Sequence, residues 1–163
     1  MTSLNIRSIK ILIYSSFIIL IDQVSKLLVL NILGFERSKN IIPNFLNFTL
    51  VRNKGAAFSL LSNSTDLLTL ISIFTSLLLL IIIIKSPPRS FWNLVGISYL
   101  LGGTIGNGID RFFKGYVLDF FEIIPINFPI FNLADISINL AVICFIIDIR
   151  KNQGQSKNKV IFK

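Results

Sequence analysis

The sequence predicts a membrane protein that is mainly α-helical, with four transmembrane helices in a single domain that spans residues 1–163. Three observations predict this fold class. The chain of 163 residues is 53% hydrophobic and only 15% charged, whereas soluble domains are roughly 25% charged. Residues 67–84 and 90–109 contain no charged side chain, and each stretch has close to the ~20 apolar residues that a helix needs to cross a bilayer. The chain length fits one domain.

The predicted helices lie at about residues 11–33, 67–84, 90–111 and 131–148. A polar turn with Pro87 and Pro88 separates the second helix from the third, because proline cannot continue a helix. A cleaved signal peptide is the alternative for the first helix. Its apolar region is too long for one, Asp22 and Lys26 interrupt it, and no small-x-small cleavage site follows it.

The distribution of basic residues predicts a multi-pass topology with both termini in the cytoplasm. With that orientation the cytoplasmic segments hold nine Lys and Arg residues and the outer segments hold six. This topology accounts for the net charge of +8, so membrane lipid is an expected partner and nucleic acid is not. Residues 150–163 form a basic, polar tail that we expect to be disordered and close to anionic lipid.

The residue types that are missing exclude several chemistries. The sequence contains no histidine and a single cysteine, Cys144. A Ser-His-Asp triad, an HExxH zinc site, an intrachain disulfide and a zinc site of several cysteines are therefore excluded. We predict no metal and no organic cofactor, so an enzyme of this sequence would use carboxylates, Lys, Ser, Tyr or bound water.

Asp22 and Lys26 are charged residues inside a predicted transmembrane helix, where each costs about 2.5–3.5 kcal/mol to insert. They are four positions apart and share a helix face. One interpretation is that they neutralise each other and fix helix packing. The other is that Lys26 lines a polar site, alone or as the base of a Ser–Lys pair.

Asp110 and Arg111 end the third predicted helix, after four glycines within residues 102–108. Such glycines let neighbouring helices approach closely. The structural interpretation of Arg111 is an anchor at the membrane interface that pairs with Asp110.

Two further acids are predicted at the outer interface. Asp119 has apolar and aromatic neighbours on both sides, and burial among them would raise its pKa and favour the protonated form. Asp135 follows Asn132 by three residues, the spacing of a helix-capping box, and the helix dipole there favours an anion. A protonated and an ionised carboxyl at one depth could together split a peptide bond with water.

Five segments together resemble the motifs of one family. In chain order they are Asp22-Gln-Val-Ser-Lys26, Asn53-Lys-Gly-Ala-Ala-Phe58, Gly106-Asn-Gly-Ile-Asp-Arg111, Val117-Leu-Asp-Phe120 and Phe131-Asn-Leu-Ala-Asp135. They are similar to the D-Q-x-x-K, N-x-G-A-A-F and G-N-x-x-D-R segments and the two aspartate blocks of the bacterial lipoprotein signal peptidase, or signal peptidase II. Each segment alone is weak evidence, whereas five in the family's order are highly specific.

The resemblance implies an aspartic endopeptidase of the bacterial cytoplasmic membrane, with its active site at the outer face. It would remove signal peptides from prolipoproteins by cutting just before a diacylglyceryl-modified cysteine. The implied catalytic pair is Asp119 and Asp135. The residues implied to hold the substrate or orient the pair are Asn53, Gly55, Asn107, Arg111 and Asn132. Those implied to support the architecture are Asp22, Lys26 and Asp110.

The resemblance also implies how the outer segments 34–66 and 112–130 fold. Residues 34–60 would form a small extracytoplasmic β-sheet that cradles the substrate, consistent with Leu46, Phe48 and Leu50 alternating with polar residues. Residues 112–129 would form a short, mobile flap nearby.

Two other classes of function compete with a peptidase. Membrane-embedded Asp and Lys often mark ion paths, as in a small transporter or a proton channel. A structural or assembly factor without chemistry would tolerate loss of both Asp119 and Asp135. Clustering of the acids at one face favours the peptidase, because a proton relay would distribute them through the bilayer.

Overall fold

The structure, a computed structural model, describes residues 4–35, 37–55, 64–126 and 128–161, and the side chains of the last helix up to residue 153. Its elements are the helices and strands α1 (Ile6–Leu33), β1 (Ser38–Ile42), β2 (Leu46–Asn53), α2 (Thr65–Lys85), α3 (Phe91–Lys114), β3 (Val117–Ile123) and α4 (Leu133–Ile161). All four predicted helices are present, each somewhat longer than the sequence predicts.

Helix α3 lies at the centre of the bundle, and α1, α2 and α4 all pack against it. Its glycines make this packing close. A methyl group added at Gly102 would lie 2.7 Å from the Ile18 side chain of α1, and one added at Gly103 would lie 2.5 Å from the Ala134 carbonyl oxygen of α4. The predicted role of the glycine-rich stretch in helix approach is therefore confirmed.

Helices α1 and α2 are long and apolar enough to cross a membrane, with mean hydropathies of 1.8 and 3.0 over 18-residue windows. Large apolar side chains are exposed along them, for example Phe17 and Phe74. A surface of this kind suits contact with lipid tails. Within the described residues α3 and α4 do not meet the same criterion, and these two helices carry the polar residues described below.

The three strands form one antiparallel sheet in the order β1-β2-β3. The strand predicted around Leu46, Phe48 and Leu50 is confirmed as β2, and its register against β3 pairs Phe48 with Phe121 and Val51 with Asp119. The register shifts between these two pairs, which is a β-bulge. Beyond the bulge, Val51 and Asn53 line the same cavity as Asp119.

The prediction of a flap over residues 112–129 is wrong for most of that segment. Residues 112–114 complete α3, and residues 117–123 form β3, the third strand of the sheet. The physical reason is burial: Leu118 and Phe120 pack with Leu50 against the end of α1. Phe120 and the partly buried Tyr116 and Phe121 therefore belong to the core between the sheet and the bundle.

For residues 150–161 the prediction of a disordered tail is wrong, because α4 continues to Ile161. The tail contains no proline, and its Lys, Arg and Gln residues are good helix formers. Residues 162 and 163 lie outside the described residues.

Substitution of Gly103 tests the close contact between α3 and α4. We expect Gly103→Ala to lower the free energy of unfolding by about 1–3 kcal/mol, because the added methyl group meets the main chain of α4 and backbone must shift. Gly108→Ala is the matched control, since its methyl group would lie 3.2 Å from the Ser72 side chain. Thermal unfolding in detergent measures both, and equal losses would contradict the proposed close contact.

Candidate active site

Asp119 and Asp135 line one cavity of about 880 Å³ at the end of the bundle next to the sheet. β3 positions Asp119, and the first turn of α4 positions Asp135. Asp119 is only 1% exposed, whereas Asp135 is half-buried. The structure therefore brings together the two acids that lie sixteen positions apart in the sequence.

Asn132 connects the two carboxyl groups. Its side-chain Nδ2 donates to Asp119 Oδ1 at 2.6 Å, and its backbone N–H donates to Asp135 Oδ2 at 3.1 Å. In return the Asp135 backbone N–H donates to Asn132 Oδ1 at 3.0 Å. These reciprocal bonds are the predicted capping box, now confirmed, and the residue that caps α4 also holds the carboxyl on β3.

Two more asparagines donate hydrogen bonds to the acids. Asn53 Nδ2 donates to Asp119 Oδ2 at 2.8 Å, and Asn107 Nδ2 donates to Asp135 Oδ1 at 2.8 Å. Asn107 Oδ1 accepts from Asn132 Nδ2 at 2.9 Å. Each carboxyl oxygen of the pair thus has a donor, which fixes both carboxyl planes.

The pKa of Asp119 is raised to about 7, mainly by burial and in addition by the nearby negative charge of Asp135. Hydrogen bonds from Asn53 and Asn132 oppose this rise, because they stabilise the carboxylate. The prediction that burial raises the pKa of Asp119 is confirmed. Near neutral pH this group can gain or lose a proton.

A buried ionic network lies beneath the two acids. The ammonium of Lys26 is 2.8 Å from Asp22 Oδ2 and 3.0 Å from Asp110 Oδ2, and none of the three side chains is exposed. It also donates to Asn107 Oδ1 at 3.1 Å. The interpretation that Asp22 neutralises Lys26 is confirmed, but Asp110 is a second partner that the sequence analysis did not identify.

The network extends to the backbone on which the two acids lie. Asp22 Oδ1 accepts from the Ala134 N–H, next to Asp135, and Asp110 Oδ2 accepts from the Leu118 N–H, next to Asp119. Through these bonds the charges on α1 and α3 position β3 and the start of α4.

The predicted pair between Asp110 and Arg111 is wrong. Asp110 is bound to Lys26 and to Lys114, whose ammonium lies 2.8 Å from Asp110 Oδ1. The spacing of four residues between Asp110 and Lys114 was the available signal, because such residues share a helix face while adjacent residues do not. Arg111 instead lines the cavity and donates to the Gly55 carbonyl at 3.3 Å.

Gly55 is buried, and its N–H donates to Asn53 Oδ1 at 2.9 Å. Asn53, Gly55 and Arg111 therefore form a connected group at the cavity rim. The neighbouring Ala56, Ala57 and Phe58 of the sequence motif lie outside the described residues.

The structure provides no geometry for a Ser–Lys pair. In the described part of the chain the contacts of the Lys26 ammonium are Asp22, Asp110 and Asn107, and no serine hydroxyl contacts it. The same part of the chain contains no group of three or more His, Cys, Asp or Glu side chains placed to hold a metal.

A family model described as signal peptidase (SPase) II matches residues 14–151 of the chain. The chain belongs to the signal peptidase II family. It is 42% identical over 158 residues to the lipoprotein signal peptidase of Parasynechococcus marenigrum (strain WH8102), covering 97% of this chain and 99% of that one. It is 37% identical over 152 residues to that of Streptococcus agalactiae serotype Ia, covering 93% and 99%.

Solved structures agree with the family. A bacterial membrane enzyme determined by the in meso method at 2.3 Å resolution matches this signal peptidase II with a TM-score of 0.82 and 34% identity, covering 90% of both chains. A second, at 1.9 Å resolution, has a TM-score of 0.76 and 35% identity, covering 86% of this chain and 92% of that one. The chain is therefore a signal-peptide-processing protease, and its neighbours are membrane enzymes.

Removal of the Lys26 ammonium tests the ionic network of this signal peptidase II. We expect Lys26→Met to cost about 3–5 kcal/mol of unfolding free energy, since two buried carboxylates lose their shared cation. Lys114→Met is the matched control: its side chain is 28% exposed and contacts Asp110 alone, so we expect a loss of at most ~1 kcal/mol. Denaturation in detergent measures both, and a Lys26→Met protein as stable as the control would refute the network's role.

Proposed function

We propose that this protein is an intramembrane aspartic endopeptidase that removes signal peptides from prolipoproteins by cutting before a diacylglyceryl-modified cysteine. One observation carries the proposal: in a signal peptidase II, Asp119 and Asp135 face one cavity and are connected through Asn132. Two carboxyls held in this way are the groups that an aspartic protease needs.

The proposed chemistry uses the difference between the two carboxyl environments. Asp135 lies in the first turn of α4, where the helix dipole stabilises negative charge, and it acts as the base that takes a proton from water. The hydroxide formed attacks the scissile carbonyl carbon. Asp119, whose pKa is raised to about 7, donates from its protonated form to the carbonyl oxygen as the acid.

Collapse of the tetrahedral intermediate reverses these roles. Asp135 gives the proton taken from water to the leaving nitrogen, the C–N bond breaks, and Asp119 recovers its proton from the hydroxyl group of the intermediate. Atoms and charge balance, and both acids return to their starting forms.

The polar residues around the pair position it and the substrate. Asn53, Asn107 and Asn132 hold the carboxyls at hydrogen-bond distance. Arg111 and Gly55 form part of the rim, where the buried glycine leaves room for a substrate backbone. Asp22, Lys26 and Asp110 act below the surface of the site by fixing the elements that carry it.

The proposed setting is the bacterial cytoplasmic membrane. In addition to α1 and α2, helices α3 and α4 span the bilayer, both termini face the cytoplasm, and the aspartate pair lies at the outer face. A signal peptide's apolar helix would end at this level. The acyl chains of the substrate would hold its cysteine at headgroup depth, since each buried CH₂ contributes about 0.8 kcal/mol.

Incubation of the purified protein with a diacylglyceryl-modified precursor tests the proposal. Mass analysis should show one cut, directly before the modified cysteine, and the same precursor without the lipid should stay intact. Cleavage elsewhere, or the absence of cleavage, would refute the assignment.

Loss of either acid should abolish turnover. We expect Asp119→Asn and Asp135→Asn proteins to fold and to bind the precursor but to cleave it at under about 1% of the parent rate, because loss of a positioned acid or base costs 10²–10⁴-fold. Asp66→Asn, at an exposed position in the first turn of α2, is the control and should cleave at the parent rate. Near-normal turnover by purified Asp135→Asn would rule out the pair.

The pH dependence follows from the protonation of Asp119. Its pKa is raised to about 7, so the acid form predominates below that pH and is lost above it. We expect kcat/KM to fall about tenfold per pH unit above pH 7, because this ratio reports the free enzyme. In Asn53→Ala this fall in kcat/KM should begin at a higher pH, because a hydrogen bond that stabilises the Asp119 carboxylate is lost. A fall at the same pH in both proteins would contradict the assignment of Asp119.

A further inference from the structure

The cavity contains a second set of polar side chains on the side of the aspartate pair that faces the bundle. Thr75 of α2, Thr104 of α3 and Asn139 of α4 line it together with apolar residues such as Leu68, Ile71 and Ile136. We call Thr75, Thr104 and Asn139 the polar shelf. They belong to three different helices, so the shelf crosses the cavity and is not the polar face of one helix.

Helix geometry places two of the shelf residues, Thr104 and Asn139, one turn from the site. Thr104 precedes Asn107 by three residues on α3, and Asn139 follows Asp135 by four residues on α4. α3 runs towards the site and α4 runs away from it, so both residues lie on the same side, one helical turn or about 5.4 Å deeper in the bundle.

The side chains of the shelf residues have no hydrogen-bond partner in the described part of the chain. Other hydroxyls in the helices do have one: a serine donates to the carbonyl four residues back in Ser15, Ser72, Ser98 and Ser137. Thr104 is only 9% exposed, Thr75 is half-buried and Asn139 is exposed. Because no buried side-chain N or O atom in the described residues lacks a partner, the unpaired polar atoms of the shelf are open to the cavity that they line. The shelf is therefore suited to a polar partner that enters the cavity.

We propose that the polar shelf binds the main chain of the signal peptide just N-terminal to the scissile bond, an inference that rests on the proposed function. A helical signal peptide has no free N–H groups except at its ends, and proteolysis requires an extended segment. Unwinding exposes N–H and C=O groups inside the membrane, where each needs a partner. Thr75, Thr104 and Asn139 supply hydroxyl and amide groups that both donate and accept.

The distance identifies which peptide groups are bound. An extended chain advances about 3.3–3.6 Å per residue, so a shelf about 5.4 Å from the acids reaches the peptide bonds one to two residues before the cut. Recognition of main-chain groups does not depend on the side chains there. The apolar residues around the shelf hold apolar side chains of the same segment.

Three variants test the shelf on the diacylglyceryl-modified precursor. We expect Thr104→Val and Asn139→Leu each to lower kcat/KM about 3- to 10-fold, mainly by raising KM, because each loses a hydrogen bond made with substrate. Thr104→Ser should restore the parent value. Ser137→Ala is the matched control on α4, since its hydroxyl is bound within the helix, and it should match the parent protein.

A modified substrate tests the same bond from the other side. In this precursor an ester replaces the amide of the second residue before the cut, which removes one N–H. We expect the parent protein to cleave it 3- to 10-fold less efficiently, and Asn139→Leu to lose nothing further, because both changes remove one interaction. If Asn139→Leu does not fold, Thr104→Val takes its place in this comparison.

The outcomes separate this inference from the proposed function. Unchanged kinetics in folded shelf variants would overturn the proposed binding of substrate by the shelf. An ester effect that adds fully to the effect of Asn139→Leu would do the same. This part of the cavity would then hold only water. In that case the parent still cleaves and Asp119→Asn does not. A parent protein that does not cleave the precursor would overturn both.

Discussion

The rest of the structure depends on one buried cation. Lys26 lies in the middle of the bundle with no exposed surface, and Asp22 and Asp110 neutralise it from two different helices. Removing three charges from water is costly, and the arrangement holds only because the remaining oxygens are also bound. Asp22 Oδ1 accepts from the Ala134 backbone and Asp110 Oδ1 binds Lys114. Asp110 Oδ2, which binds Lys26, also accepts from the Leu118 backbone. The charge balance of the interior thereby determines where α4 begins and where β3 lies.

Asn132 has two roles in this structure, one in the helix α4 and one in the candidate active site. Asn132 ends the loop before α4 by capping the helix, and the same side chain reaches Asp119 and Asn107. The cap of α4 and the Asp119 site therefore share one side chain. The network also keeps the two carboxyls in different environments, one buried in the sheet and the other at a helix terminus, although they share a cavity.

The sequence predicts features that depend on local spacing. The capping box of Asn132 and Asp135, the ion pair of Asp22 and Lys26, and the strand through Leu46 and Phe48 all follow from residues a few positions apart. Apolar stretches likewise predicted the four helices, and the pattern of five motifs indicated the family.

Contacts between residues that are far apart in the sequence could not be predicted from local spacing. The contact of Lys26 with Asp110 joins residues on different helices, and Asp110 was assigned to its neighbour Arg111. Pairing of β3 with β2 joins segments that α2 and α3 separate, so residues 117–123 were predicted as a flap. In both cases burial against a distant element outweighed the local pattern.

The β-bulge in β2 has a consequence for the charge beside Asp119. With the bulge, Asn53 is the residue opposite Val117, while Arg52 lies against the Phe35 ring at 3.9 Å. A ladder that continued from the Phe48–Phe121 pair without the extra residue would put Arg52 opposite Val117. A guanidinium in that place would stabilise the charged form of the Asp119 carboxyl and lower its pKa. One added residue in the central strand of the sheet thus keeps the Arg52 guanidinium away from Asp119, while Arg111 lines the cavity.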